Sequence, residues 1–298
     1  MASLIAAPDN SRAHLAMLVF ATVVSTSFTV GSAITDAVDP LALTWLRFIV
    51  AAAIFAVMLL STDSFRRPAI SDLARYAVIA ALLCIYFTTM FFGLRWSDPV
   101  SLGAVFTLAP LFTMIIARFL VGQRTGPVVA AGLAIAAAGA VWVLFDGSLA
   151  RLANFVVGRG ELVFLFGTIA YAAYSPAIRK LHRGESLLVM NFWVLLLGAV
   201  MLGIIGAPAI AATAWLDVPA YVYAGIAWLA AASTALSFSM IKYASLHLPS
   251  AKVLAYTYLI PALVLLQTFL LGGAWPSFSE LLGIVVITGA MLVLQRAG

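Results

Sequence analysis

The chain has 298 residues, of which 64% are hydrophobic and 9% charged, with a formal net charge of +5 and a mean hydropathy of +1.13. Ordinary soluble chains are about 25% charged, and no soluble fold could hide this much apolar surface; lipid is therefore the solvent and an integral membrane protein is expected. The pI near 9.6 does not point to nucleic acid, because the basic residues stand singly or in twos and threes between apolar runs, as they do in membrane loops.

A spanning helix needs roughly 20 mostly apolar residues. Ten such segments are predicted, at 13–34, 41–61, 74–94, 100–121, 127–145, 161–179, 187–206, 219–240, 250–271 and 279–295. Asp9 precedes the first, and no small-residue cleavage site follows it, so that segment is read as inserting itself rather than as a removable signal. The connections are short and carry turn formers: Asp39-Pro40, Arg67-Pro68, Asp98-Pro99, Gly126-Pro127, Gly184, Pro208, Pro249 and Trp275-Pro276. Continuous apolar runs of this length exclude the alternating pattern of a β-barrel. The lone cysteine, Cys84, lies in such a run and is expected to pack as an inert core residue.

Twelve of the sixteen Lys and Arg residues lie at one set of segment ends, from Arg12 through Arg66, Arg75, Arg118, Arg124 and Arg179 to Arg296. Three, Arg95, Arg151 and Arg159, lie at the other, and Arg47 belongs to neither. That bias predicts both termini on the cytoplasmic side of the inner membrane.

The chain also repeats itself. Residues 93–110 read GLRWSDPVSLGAVFTLAP and residues 244–261 read ASLHLPSAKVLAYTYLIP: a polar turn with a proline, a half-helix, then Pro110 or Pro261 at mid-segment. The following segments match too, AGLAIAAAGAVWVL (131–144) against LGIVVITGAMLVL (282–294). Two units of five helices are predicted, over 13–146 and 161–298, with residues 1–12 as a cytoplasmic tail and 147–160 as an outer linker. An odd helix count inverts the second unit relative to the first, a pattern of transporters whose substrate site lies between the halves.

With PLALTWLRFIVAAA in the second segment, GLRWSDPVSLGAVFTLAPLFTMIIARFLVGQR across the third and fourth, and LPSAKVLAYTYLIPALV in the ninth, the chain resembles the EamA family of the drug/metabolite transporter superfamily. The resemblance covers about residues 13–296. It implies an all-α integral membrane fold, ten transmembrane helices as two inverted five-helix repeats around a central cavity, and export of amino acids, related metabolites or drugs. Import of a vitamin or similar metabolite by the same fold is the alternative. The chain departs from the family pattern at Gln123, where an acidic residue is common, and at Trp193, which stands where the second unit would repeat Arg47.

Arg47 lies roughly 9–10 Å inside its segment at ~1.5 Å per residue. A central arginine costs at least ~2.5–3.5 kcal/mol on insertion scales. All 11 acids sit in loops or at segment ends, so no embedded carboxylate offsets that cost. Two readings stand: Arg47 snorkels to a loop acid such as Asp36, Asp39 or Asp98 or braces a helix end, or it borders a wet cavity and attracts a substrate carboxylate. The missing embedded acids also argue against proton antiport through a membrane carboxylate and against lipophilic cations as cargo.

Pro110 and Pro261 each remove a backbone bond, to the carbonyls of Phe106 and Thr257, and are expected to kink or gate their helices. Cavity-lining candidates are Tyr86, Phe106, Tyr171, Tyr174, Trp193, Tyr256 and the hydroxyl group of Ser25, Ser27 and Thr29. Tyr256 and Tyr258 point about 200° apart, so only one of them can face a cavity. Lys252 is expected to snorkel. Gly132, Ala136 and Ala140 form a small-residue stripe, read as scaffold or dimer surface. A monomer is expected, with a dimer as the alternative. No phosphate-binding loop, zinc-protease or hydrolase motif occurs, and His14, His182 and His247 lack metal-site spacing. A secondary transporter of a small solute in the lipid bilayer, with no cofactor and no metal, is the expectation; an enzyme acting on lipid-linked substrates is disfavoured.

Overall fold

The segment boundaries follow from a few polar residues. Asp39 accepts from the Leu41 N–H at 2.8 Å ahead of Pro40, and Asp98 accepts from the Ser101 N–H at 2.9 Å ahead of Pro99. Each supplies the N-cap oxygen of a helix whose first turn holds a proline, which lacks the N–H that would be orphaned there. Gly122 and Gly272, at φ +68° and +89°, end the two proline-broken segments. A left-handed residue closes a helix end at least cost when it has no Cβ.

The structure, a computed structural model, describes residues 11–62, 68–145, 148–154, 157–248, 253, 256–273, 275 and 277–296. In chain order the helices are α1 (Ser11–Ile34), α2 (Pro40–Leu60), α3 (Ile70–Leu94), α4 (Pro99–Phe106), α5 (Ala109–Leu120), α6 (Pro127–Leu144), α7 (Leu149–Ala153) and α8 (Arg159–Leu181). There follow α9 (Leu187–Ile205), α10 (Ala207–Ala212), α11 (Ala220–Ala230), a π-helical turn (Ala231–Leu236), α12 (Ser237–His247), a 3-10 turn (Tyr256–Leu259), α13 (Ile260–Leu270) and α14 (Phe278–Arg296). No strand occurs among the described residues.

Seven helical stretches are long and apolar enough to cross a membrane, with α4–α5 and α11–α12 each counting as one. Shorter apolar helices occupy 127–143, 256–270 and 281–292, where the fifth, ninth and tenth segments were expected. Pro208, expected in a turn, instead starts the short helix α10. Lys252 lies outside the described residues.

The dominant packing pairs are α3 with α8, α2 with α9, and α6 with α14, while α1 lies against α11, α12 and α13. Glycine sets the closeness of the first pair. A Cβ on Gly160 would stand 2.6 Å from the Gly93 carbonyl oxygen, and one on Gly167 would collide with Thr89. At the crossing of α4 and α13, a Cβ on Gly103 would come within 3.5 Å of Pro261 Cα. Gly132, Ala136 and Ala140 are buried within the chain, on a helix that packs against α14, α4 and α5, so the stripe is scaffold and not a free dimer surface. The helices turn large apolar side chains outward, among them Val57, Leu60, Phe166, Ile204 and Leu270. A soluble protein would bury them; a bilayer solvates them.

Among the described residues both ion pairs belong to Arg75, with Asp72 and with Glu185 at 3.2 Å, and Arg75 also donates to the Leu181 carbonyl. This knot ties the start of α3 to the end of α8 and the loop after it. Partial burial pushes the Glu185 carboxyl up, but backbone N–H groups, including that of Arg183 at 2.8 Å, and the charges of Arg75 and His182 outweigh it and hold it below its usual value. A depressed folded value means that Glu185 contributes stability above the ordinary glutamate range, lost as pH falls through the folded value. The melting temperature of purified protein should therefore fall from neutral to acidic pH, and Glu185→Gln should flatten that fall. An equal slope in the variant would contradict this.

Candidate functional site

Arg47 is the eighth residue of α2 and is only 1% exposed. It does not snorkel: Asp39 and Asp98 cap their own helices, and the guanidinium turns into the protein instead. Its Nη2 donates to Thr234 Oγ1 at 3.1 Å, and its Cζ lies 4.0 Å from the centre of the Phe87 ring. Its Nε and Nη1 have no hydrogen-bond partner among the described residues. A desolvated cation–π contact contributes about 2 kcal/mol, of the order of the insertion cost, yet two charged donors stay unmet.

Thr234 sits in the π-helical turn between α11 and α12 and donates to Leu229 five residues back at 3.1 Å. A wide turn of this kind is uncommon and recurs at functional sites. Here it presents the hydroxyl oxygen to Arg47 across the contact between α2 and α11.

Four of the expected lining residues come together beside this charge. The Tyr86 ring lies 4.6 Å from Tyr171 and 5.7 Å from Phe106, Phe106 lies 5.1 Å from Tyr171, and Tyr171 stacks with Tyr174 at 6.1 Å. Phe28 and Phe164 close the group, 5.8 Å apart. The glycine contact at Gly167 and Thr89 holds α3 and α8 near enough for Tyr86 and Tyr171 to meet. Tyr86 adjoins Phe87, which faces the Arg47 guanidinium, so the cation and the aromatic group form one continuous buried cluster.

The remaining predicted residues fall elsewhere. Trp193 on α9 is half-buried and packs edge-on to Phe192 at 5.1 Å. Tyr256 shares a 2.6 Å hydrogen bond with His14 Nδ1, in a second apolar cluster with α6 and α14. Tyr258 is 1% exposed and its hydroxyl has no partner among the described residues. Ser25 accepts from Gln267 Nε2 at 2.7 Å while Thr29 donates to Gln267 Oε1 at 3.0 Å. These hydroxyls bind α1 to α13. Interhelical bonds of this kind contribute about 0.6 to 1.7 kcal/mol, so Gln267→Leu should lower the melting temperature by a few degrees; no change would remove it from the joint.

Pro110 and Pro261 both sit in the first turn of a second half-helix, α5 and α13. Ahead of Pro110 the backbone tightens, Thr107 and Leu108 donating three residues back to Ala104 and Val105 at 3.1 Å; ahead of Pro261 lies the 3-10 turn. The predicted kinks are breaks in the helices, with the half-helices meeting where Gly103 touches Pro261.

Thr234, Phe87 and Gln267 were absent from the sequence reading. Gln267 had a signal, a lone amide in the run PALVLLQTFLL. Thr234 had a weaker one in the hydroxyl-rich AASTALS. Phe87 had none, because one phenylalanine among 19 looks like any other.

A crystal structure 21% identical in sequence superposes over 96% of this chain and 97% of its own, with a TM-score of 0.70, which shows the fold. An uncharacterized transporter YyaM of Bacillus subtilis is 22% identical over 247 residues, 82% of this chain and 81% of that protein. A protein of Streptantibioticus cattleyicolor named a probable terminal-alkyne amino-acid exporter is 27% identical over 242 residues, 78% of this chain and 76% of its own. The family model of the EamA-like transporters matches residues 11–145 and again 158–295. Read with the apolar helices, these matches make the chain a multi-pass membrane transporter, not an enzyme, and a member of the EamA-like transporter family of the drug/metabolite transporter superfamily.

Proposed function

We propose that this chain is a secondary transporter of the inner membrane, with both termini cytoplasmic, that exports a small carboxylate-bearing solute such as an amino acid by alternating access. The observation that carries the reading is Arg47: a cation 1% exposed and, among the described residues, without a carboxylate and with Nε and Nη1 unmet. A substrate carboxylate would occupy those two donors in a forked contact. The adjoining rings of Tyr86, Phe106 and Tyr171 would take its apolar body.

The halves are read as inverted five-helix repeats of ten spanning helices, 13–146 and 161–298. The packing supports this: exchanging the halves converts the α3–α8 contact into that of α11–α12 with α1 and leaves α2–α9 and α6–α14 unchanged as pairs. The two matches to the family model support it as well. The broken helices at Pro110 and Pro261 then serve as the movable parts, because a half-helix can tilt about a break without losing further backbone bonds. The Lys and Arg bias supports the orientation, and the exporter relative supports both the direction and the amino-acid class.

Counterflow in proteoliposomes tests the reading. Preloaded amino acids or organic anions should drive accumulation of labelled solute, and lipophilic cations should not. Transport should persist without a proton gradient, since no acid lies at mid-helix. Strict dependence on that gradient, or counterflow of cations alone, would overturn it.

A further inference from the structure

The bundle end where α5 gives way to α6 carries two joined cavities. One, of about 670 Å³, runs along Met114, Ile115 and Phe119 with Arg118 at its mouth. The other, of about 300 Å³, descends between α5, α6 and α8 to Pro110, with Arg179 at its mouth. They share Met114, Gln123, Arg124 and Thr125, so Arg124 stands on the common rim. No acid lines either cavity, and Arg118, Arg124 and Arg179 make no ion pair among the described residues. Arg179 Nη1 donates to Gln123 Oε1 at 2.6 Å, which keeps the Gln123 amide N–H groups for other acceptors.

Charge and apolar surface adjoin here. Phe119 is 84% exposed and Ile115 44%, and both lie on the outer side of α5 below the arginines. A soluble anion would use the cations and leave that wall bare. A molecule with a phosphate and a long hydrocarbon chain would use both. A basic groove at the end of membrane helices is suited to an acidic headgroup, each arginine adding about a factor of five in affinity.

We propose that this groove binds one anionic phospholipid, with its phosphate between Arg118 and Arg124 and an acyl chain along Ile115 and Phe119. The site depends only on the chain lying in a bilayer, and it is separate from Arg47 and its solute. Its inner cavity ends at Pro110, so an occupied groove would brace α5 against α6 at the helix break.

The test is titration of the full chain in neutral detergent with short-chain phosphatidylglycerol, read by native mass spectrometry and by melting temperature. Phosphatidylcholine of equal chain length and glycerol phosphate are the comparison ligands. Selective binding of one phosphatidylglycerol with a rise in melting temperature is expected. Arg118→Gln with Arg124→Gln should weaken it roughly 10- to 30-fold. Phe119→Ala should weaken it as well, and Arg151→Gln, at the other end of the molecule, should leave it unchanged. Equal binding of phosphatidylcholine, unchanged affinity in the double variant, or glycerol phosphate binding as tightly as the lipid would each overturn the proposal. Should the double variant not fold, unchanged selectivity in Arg124→Gln alone would overturn it.

Discussion

Replacing Arg47 by methionine is expected to reduce counterflow of carboxylate solutes roughly 10- to 150-fold in kcat/KM, while the protein stays as stable as the wild type or becomes more so. The two halves of this result have different causes. A hydrogen bond to a charged group contributes about 1.5–3 kcal/mol, which converts to that range of rate. Stability moves differently, because Arg47 is buried with two donors unmet among the described residues, and a buried charge replaced by an apolar side chain of similar volume is often neutral or stabilising. Methionine keeps the stem that packs beside Phe87. Arg47→Lys should recover part of the transport, since an ammonium supplies the charge but not the planar fork. A pure brace would behave in the opposite way: Arg47→Met would lower the melting temperature and leave solute preference unchanged. Thr234→Val adds a check. It removes the hydroxyl that receives Arg47 Nη2 at 3.1 Å, frees a third donor, and should alter solute preference more than expression.

The second large effect is expected on the α3–α8 seam. Gly160→Ala should destabilise the protein by about 1–3 kcal/mol, the usual range for forcing atoms into a packed interior. The added methyl would stand 2.6 Å from the Gly93 carbonyl oxygen, and backbone cannot swing aside as a side-chain tip can. Gly289→Ala on α14 is the matched control, because a Cβ there meets nothing within 4 Å. Helix propensity then acts alone and favours alanine by about 0.8–1 kcal/mol. The two variants should therefore shift the melting temperature in opposite directions. Equal shifts would mean that α3 and α8 do not approach as closely as the structure places them. A widened seam would also draw Tyr86 away from Tyr171, so Gly160→Ala should lower transport beyond the loss of folded protein.

Much of the fold could be read from the chain. Residues such as Asp39-Pro40 and Asp98-Pro99 act within one helical turn, and their capping geometry is the expected one. Pro110 and Pro261 announced two special places by the same local rule, since a missing N–H is felt four residues away. The site was half legible. Arg47, Tyr86, Phe106, Tyr171 and Tyr174, which lie together in the proposed site, stand out in the sequence because a charge in an apolar run, or a tyrosine pair at spacing three, departs from the background. Ser25 and Tyr256 lie apart from that group, and a hydroxyl in a membrane helix has the same appearance whether it meets a cavity or a neighbouring helix. Gln267 and His14 took them as partners, across 242 residues in each case.

Composition and apolar run length by themselves determined that this is a helical membrane protein, where its helices begin, and that an arginine lies inside one without an embedded acid. Those properties depend on near neighbours in the chain and on the solvent. Only the tertiary structure decided which way Arg47 turns, that Thr234 and Phe87 receive it, and that the small-residue stripe of α6 is buried within the chain. These depend on contacts between residues far apart in sequence, and in a bilayer such contacts are not announced by hydrophobicity, because a leucine against lipid and a leucine against a helix are equally apolar.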